Sequence, residues 1–516
     1  MMNSNNDRRS TLLHTFGRKI IWAGILAMGS MILFLTSCSS QPTVPSDQPP
    51  LEATATLPPP SERKITQTPE ALPPSPTPTA TLVLPTPIPP VAPDPNSLMG
   101  VEIHDIQDPA NLELAVSSGV QLVRYNAIRW YDVEPEQGTR DWNQLAKLDD
   151  GLAYLGENGV QTILIVRGTP LFAQKVPGYY CGPIAEQSLP EFADFLGELV
   201  TRYSQPPYNV KYWELGNEPD VAPELVGVDS VFGCWGDAEQ PDYGGRYYAE
   251  MLKQAYPAIK QADPDANVLI GGLLLDCDPT HPPEGKTCQP ANFLDGILAA
   301  GGGDYFDLVS YHGYPPYSNG KALDERLLGW EDRGGVIIGK LNFIREVMQK
   351  YGIDKPIFHT ESSLTCPTWN ARECDPIVAQ FYQTQAEFVP RLFLRNWAYG
   401  IDGTVWYQFE GVGWRSGGMV GAPTNPKQTL RAFQHMTEVF GGAEYLDAET
   451  DSQEFTIYRF QKNGQQIWSI WTPDWESRTY TLPAGASSVT DIFGTQVGVD
   501  NNQILVDGVR YITFGN

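Results

Sequence analysis

Two glutamates stand where strand-like runs end. Val210-Lys211-Tyr212-Trp213-Glu214-Leu215 leads into Gly216-Asn217-Glu218-Pro219-Asp220, and Pro356-Ile357-Phe358-His359-Thr360 leads into Glu361. Cleavage of a glycosidic bond needs such a pair: one carboxyl protonates the leaving oxygen while the other attacks the anomeric carbon or activates water. A single loop glutamate is ordinarily just solvated. Two of them, each at the C-terminal end of a strand, make the chemical reading the stronger one. Glu214, inside its strand, reads as structural, and Glu410 suits solvent as well as it suits a sugar.

The elements that must hold these residues recur in a pattern. Eight short apolar runs (100–103, 122–125, 162–166, 210–215, 268–271, 308–311, 356–360 and 404–407) read as strands. Between and after them lie amphipathic stretches such as 144–158, 189–203, 245–262, 292–300, 339–351, 377–396 and 426–440. Continuous apolar strands alternating with helices imply an α/β fold with a parallel sheet, and eight such units imply a (β/α)8 barrel. An open doubly wound sheet is the alternative, but no G-x-G-x-x-G follows an early strand. In a barrel the site lies at the C-terminal ends of the strands, which puts Glu218 after the fourth and Glu361 at the end of the seventh. Beyond residue 441 the pattern changes. Lys462-Asn463-Gly464 sits between two strand-like runs, a strong hairpin signal, and further short strands end at Val509–Phe514. The expected layout is a leader over 1–37, a stalk over 38–97, a barrel over 98–441 and a small sandwich-like all-β region over 442–516.

Asn217-Glu218-Pro219 after strand four, joined to a glutamate ending strand seven, resembles the clan A glycoside hydrolases, with similarity to the family 39 and family 5 types. Asp491-Ile492-Phe493-Gly494 in the tail is similar to those relatives as well. The resemblance spans residues 99–441 and implies a retaining enzyme on a (β/α)8 barrel. Carried over, it makes Glu218 the general acid/base and Glu361 the nucleophile. Arg124 supports the Glu361 carboxylate and Asn217 donates to a sugar 2-hydroxyl. His312 and Tyr314 line the cleft and Trp406 is the floor beneath the sugar. His104 and Trp130 are further cleft candidates, whereas Trp142 suits packing. Glu218 must keep its proton near neutral pH, which calls for burial and for the negative charge of Glu361 nearby. A retaining pair stands about 5–5.5 Å apart.

The front of the chain reads as an address. Arg8, Arg9, Arg18 and Lys19 precede an apolar run from Ile20 to Leu35, and Leu35-Thr36-Ser37-Cys38 resembles a bacterial lipobox, which implies lipidation at Cys38. A plain transmembrane anchor is the competing reading. Either one puts the bulk of the chain outside the cytoplasm, as a membrane-tethered lipoprotein or an anchored protein. Residues 41–97 are rich in Pro, Thr, Ser and Ala. They read as an extended stalk that, at about 3 Å per residue, reaches well over 100 Å.

With Cys38 set aside, six cysteines remain in an exported chain, which suggests three disulfides. The most local pairing is Cys277 with Cys288, Cys366 with Cys374, and Cys181 with Cys234, one of fifteen possibilities. No C-x-x-C and no close pair of histidines calls for a metal, and no cofactor is implied. The net charge is −26. Residues 1–37 carry one acidic and four basic groups, so the remainder stands at −29. That argues against nucleic acid as a partner and fits a neutral or basic polymer.

The reading expected from all this is a retaining β-glycosidase, tethered to a membrane, acting on a β-linked oligo- or polysaccharide in the manner of a β-xylosidase or an endo-β-glycanase. The alternatives are a non-catalytic glycan-binding surface lipoprotein and a transglycosylase of envelope polysaccharide. Oligomeric state stays open.

Overall fold

A computed structural model describes residues 97–227, 230, 232–323, 329–366, 378–421, 427–449 and 454–515. The leader, Cys38, all but the last residue of the stalk, and Cys374 lie outside the described residues. Among the described residues, no helix is long and apolar enough to cross a membrane.

Eight strands alternate with eight helices: β1 (Leu98–Ile103), α1 (Pro109–Ser117), β2 (Leu122–Arg129), α2 (Ala146–Glu157), β3 (Gln161–Arg167), α3 (Leu189–Tyr203), β4 (Tyr212–Leu215), α4 (Gly245–Ala262), β5 (Asn267–Ile270), α5 (Asn292–Ala299), β6 (Val309–His312), α6 (Gly335–Lys350), β7 (Ile357–Ser362), α7 (Val378–Ala398), β8 (Gly403–Trp406) and α8 (Gln428–Phe440). The strands are all parallel and run in the order β5-β4-β3-β2-β1-β8-β7-β6. The parallel bridges Leu269–Leu308 and Leu273–Tyr311 bring β5 to β6 and complete the circuit. The fold is therefore the (β/α)8 barrel that the sequence predicts.

One helix has no counterpart in the sequence expectation and another starts before its expected position, both for local reasons. Helix α1 has only nine residues, too few for a clear period; its signal is the N-cap Asp108, whose side chain accepts from Ala110 N, followed by Pro109 in the first turn. Helix α6 starts at Gly335 rather than Gly339, because Gly334 (φ 100°) and Gly335 (φ 91°) break the helical composition just where the chain turns in.

Strand alternation sorts the side chains into two layers. Leu122, Ile163, Leu269, Leu308, Phe358 and Val405 fill the barrel axis. Their neighbours in sequence face the helices, as Val123, Leu164, Val268, Val309 and Trp406 do. Above the axial apolar layer, on the same inward faces, come Glu102, Arg124 and Glu214, all fully buried. This is the barrel's C-terminal end, so the core itself turns polar where chemistry is expected.

After α8 come β9 (Glu444–Glu449), β10 (Thr456–Lys462), β11 (Gln465–Trp471), β12 (Arg478–Thr481), β13 (Ala486–Thr490), β14 (Gln503–Val506) and β15 (Arg510–Phe514). They form an antiparallel sheet, β9-β10-β11-β15-β13, and an antiparallel pair, β12-β14. Asn463 (φ 53°) and Gly464 (φ 81°) make the two-residue turn of the β10–β11 hairpin, with Lys462 paired to Gln465. One face of this sheet joins the barrel's own core. Phe460 packs on Trp397 and Phe440, and Tyr511 packs on Phe440.

Candidate active site

Arg124, ending the inward face of β2, organises the site. Its Nε donates to Glu214 Oε2 (2.6 Å), Nη1 to Glu102 Oε2 (2.5 Å) and to Glu361 Oε1, and Nη2 to Asn217 Oδ1 (2.7 Å). Burial works against its charge, but the three carboxylates raise its pKa well above the ordinary value. Glu214 is held in turn by Gly272 N (2.7 Å) and Ser310 Oγ (2.8 Å). It supports the arginine and has no open face. Because Asn217 Oδ1 is committed to Arg124, its amide nitrogen is the end left to donate outward.

Glu361 receives Arg124 on one oxygen and the Tyr314 hydroxyl on the other. Burial pushes its pKa up, while His312 and Arg124 pull it back. Glu218 meets no cation at contact distance. Its partner is His312, whose Nδ1 is hydrogen bonded to Glu218 Oε1 (2.9 Å), and burial raises Glu218 to about 7. Lys340 and Arg124 temper that rise and Glu102 adds to it, while the repulsion between Glu218 and Glu361 that the sequence suggested is felt at Glu361, whose pKa it raises. His312 is fully buried, which draws it down to about 4 and leaves it a neutral imidazole. One oxygen of Glu218, one of Glu361 and a ring nitrogen of His312 lie within 4.8 Å of one another.

The loop carrying Glu218 is tightly determined. Glu218 has a left-handed backbone (φ 49°), uncommon for a side-chain-bearing residue, and its N–H donates to Gly272 O (3.0 Å). Gly272 is required there, since a Cβ would come within 2.0 Å of His312 Nε2. Asp220 clamps the loop by accepting from Leu274 N (2.9 Å) and Leu275 N (2.8 Å), and burial lifts its pKa to about 7. Beneath them Lys340 donates to Leu274 O and to His312 O (2.9 Å).

The remaining expected residues divide. His104 is exposed at the barrel mouth with Nε2 2.9 Å from Glu102 Oε1. Burial lowers its pKa, and the hydrogen bond and charge of Glu102 outweigh that and raise it. Trp406 is a correction. It is fully buried, donates its indole N–H to Gly417 O (2.8 Å) and packs on Phe388 of α7. Val405 occupies the axis, so period-two alternation turns Trp406 toward the helices. The partly exposed aromatic at that strand end is Tyr407, edge-on to Tyr314 and His104, with Trp414 packed on the other side of Tyr314. Trp130 is also a correction. It is 1% exposed, donates to Glu134 (2.9 Å) and packs among Phe172, Phe192 and Phe195. Trp142 stacks on Phe195, as packing requires.

Sequence reasoning missed Glu102, Asp220, Lys340 and Tyr407. Glu102 had a signal: it is a charge in the otherwise apolar Met99–Ile103 run. Lys340 had the same one, sitting among Val336, Ile337, Leu341 and Ile344 of α6.

Among the described residues, two groups have ligand spacing for a metal. In Asp276-Cys277-Cys288 the sulfurs are bonded to each other. In Glu218-His312-Glu361 a cation would sit beside the Arg124 guanidinium that already pairs with Glu361, so the donor set suits one protonated and one ionised carboxyl better than a metal. Cys181 is bonded to Cys234, tying the β3–α3 loop to the β4–α4 loop, and Cys277 to Cys288. Both pairs follow the local pairing. Cys366 is disulfide-bonded as well.

A family 39 glycoside hydrolase from Bacteroides cellulosilyticus WH2 superposes with a TM-score of 0.60 over 81% of this chain and 80% of that one, at 18% identity. A GH30 endoxylanase from Clostridium papyrosolvens C71 matches with a TM-score of 0.54 over 82% of this chain and 98% of that one, at 10% identity. A family 51 α-L-arabinofuranosidase from Bifidobacterium longum matches with a TM-score of 0.53 over 83% and 97%, at 13% identity. No family model matches the sequence, and a search of the curated proteins finds no relative. At these identities the likeness is one of fold.

Proposed function

We propose that the chain is a retaining glycoside hydrolase acting on a β-linked glycan, held outside the cytoplasm by a lipid on Cys38. The observation that carries this reading is the pair of carboxyls in unlike settings, Glu361 buried and Glu218 half-buried. Glu361 is held by Arg124 and Tyr314; Glu218 lacks a cation at contact distance and has a pKa near 7. Their close approach, with oxygens inside 4.8 Å, suits double displacement rather than the wider gap an inverting pair leaves for water.

In the first step the Glu361 carboxylate bonds to the anomeric carbon as the glycosidic C–O bond breaks. Glu218 gives its proton to the departing oxygen. The negative charge of Glu361 is then consumed in an ester, which favours ionisation of Glu218. In the second step Glu218 takes a proton from water, the water oxygen bonds to the anomeric carbon, and Glu361 leaves as a carboxylate. The amide of Asn217, oriented by Arg124, is placed to donate to the 2-hydroxyl, a bond that strengthens as the oxocarbenium character grows. Tyr407 and Trp414 supply aromatic surface for an apolar sugar face.

The test uses the full chain in detergent on a panel of aryl β-glycosides and β-glycans, with β-xylosides and xylan first. Turnover with retained anomeric configuration is expected. Azide should rescue Glu361→Ala by forming the glycosyl azide of inverted configuration, and Glu218→Ala by forming the one of retained configuration. Glycan binding without turnover on any member of the panel would instead favour a binding lipoprotein.

A further inference from the structure

Among the described residues, Arg124 and Arg167 both take inward positions at the barrel mouth, and of the two only Arg124 has counter-charges at contact distance. On β2 Arg124 stands one inward position above Leu122 and meets three carboxylates. On β3 the inward positions are Ile163, Ile165 and Arg167. Among the described residues, no side chain is hydrogen bonded or ion-paired with the Arg167 guanidinium, and its Nε is buried without a partner. Burial draws Arg167 down to about 10, the charge of Glu102 partly offsets this and that of Arg124 adds to it, so Arg167 remains a cation at neutral pH.

Arg167 is half-buried, and its Nε, cut off from water with no partner, is costly to keep charged unless something supplies a counter-charge. Arg167, Thr169 and Asn217 form the polar wall of a narrow, otherwise largely apolar crevice, at whose back the packed Trp130 ring lies beside Phe192 and Tyr248. The crevice is continuous with the loop of the candidate acid/base, because Gly216 N donates to Val166 O (2.8 Å) and Asn217 forms part of the wall. Opposite Ile165 the register of β2 slips between Tyr125 and Ile128, and in that bulge Asn126 Oδ1 is also buried without a partner. An unmatched cation and an unmatched acceptor thus flank one side of the mouth, where a sugar would present a charged group and hydroxyls.

We propose that this crevice takes the carboxylate of a uronic acid residue, so that the substrate is an acidic glycan or its oligosaccharides. The proposal rests on the glycosidase reading and deepens it. A planar carboxylate matches the guanidinium fork through two parallel N–H···O bonds. Against a net charge of −26, an anion is held only where a desolvated cation meets it at contact distance. This departs from the sequence expectation of a neutral or basic polymer: the long-range field is acidic, but the contact group at the site is not.

The experiment is calorimetric titration of the full chain carrying Glu361→Gln, in detergent, with cellobiouronic acid, cellobiose and cellobiose 6′-sulfate. Cellobiouronic acid should bind at least tenfold more tightly than cellobiose. Arg167→Gln in the same background should erase that difference, and Arg167→Lys should restore part of it. Equal binding of the acid and neutral disaccharides, binding of neither, or a preference that survives Arg167→Gln overturns the proposal. Tighter binding of the sulfate than of the uronate also overturns it, in favour of an ester-sulfate site. Without ligand, Arg167→Gln should melt no lower than its parent, since it removes an unpaired charge; a large fall would show Arg167 to be structural and overturn the proposal as well. Aryl-glycoside turnover by the unmutated chain, run in parallel, separates the two readings. Turnover without uronate preference defeats the crevice alone, and absence of turnover defeats the hydrolase.

Discussion

At the scale of single residues, the site is a balance between one arginine and three carboxylates. Arg124→Met would leave Glu102, Glu214 and Glu361 buried around an apolar side chain. Removing one partner of a buried ion pair costs roughly 3–5 kcal/mol, so this variant should unfold at markedly lower denaturant and lose activity together. Arg124→Lys should recover little of either, because one ammonium cannot reach Glu102, Glu214, Glu361 and Asn217 at once. Glu218 carries the opposite kind of prediction. Its folded pKa, about 7, lies above the ordinary 4.5, so the folded state binds the proton more tightly than the unfolded one. Its contribution is favourable below the unfolded value and is lost as pH rises through 7, by on the order of 2–3 kcal/mol. Glu218→Gln should therefore melt higher than the unmutated chain at pH 8, and the gap should close by pH 5. The same ionisation sets the basic limb of activity. kcat/KM on an aryl glycoside with a poor leaving group should fall about tenfold per unit above pH 7. In Glu218→Ala that limb should vanish, most visibly with a dinitrophenyl leaving group that needs no proton.

At the scale of elements, strand ends and loops decide which residues meet. The alternation of apolar runs and amphipathic helices was plain in the sequence, and with it came the strand number that places Glu218 and Glu361 at one end of a barrel. Facing was harder to read. Val405 and Trp406 are adjacent and both apolar; only packing against α7 shows that Val405 takes the axis and Trp406 the outer layer, which passes the cleft position to Tyr407. Trp130 had the same difficulty: a short helical turn after β2 buries it among phenylalanines that lie more than forty positions on in the sequence. Glu102 and Lys340 were visible as charges in apolar runs, but their partners come from other strands and loops. The long inserts are held by covalent ties. Cys181–Cys234 closes a loop of 53 residues between two segments that line the Arg167 crevice. Chain entropy gives such a link about 4 kcal/mol as an upper figure. The double variant Cys181→Ser/Cys234→Ser should lower the melting temperature and weaken glycan binding more than it lowers the turnover of a small aryl glycoside, because the catalytic pair sits on strand ends rather than on the inserts.

At the scale of the whole molecule, the question is whether the C-terminal strands are an accessory or part of the barrel's interior. Their contacts decide it. Glu387 of α7 accepts from Val509 N (2.7 Å), and Arg391 of the same helix donates to Thr472 O (3.1 Å). Trp397 and Phe440, on α7 and α8, pack on Phe460, and Tyr511 also packs on Phe440. Removing residues 442–516 would expose this apolar surface and strand the Glu387 carboxyl, whose pKa burial already raises. Fully burying one large side chain is worth about 1.5–3 kcal/mol, and a folded chain's margin is only about 5–15 kcal/mol. Uncovering both Trp397 and Phe440 costs about 3–6 kcal/mol, a large share of that margin. A chain ending at residue 441 should therefore be insoluble or fail to unfold cooperatively. The complete chain should give one thermal transition, with near-ultraviolet dichroism and activity lost at the same temperature. A separate low-temperature step that spares activity would show that the sheet folds on its own and leaves the barrel intact. The packing of Phe460 and Tyr511 against α7 and α8 argues that no such step exists.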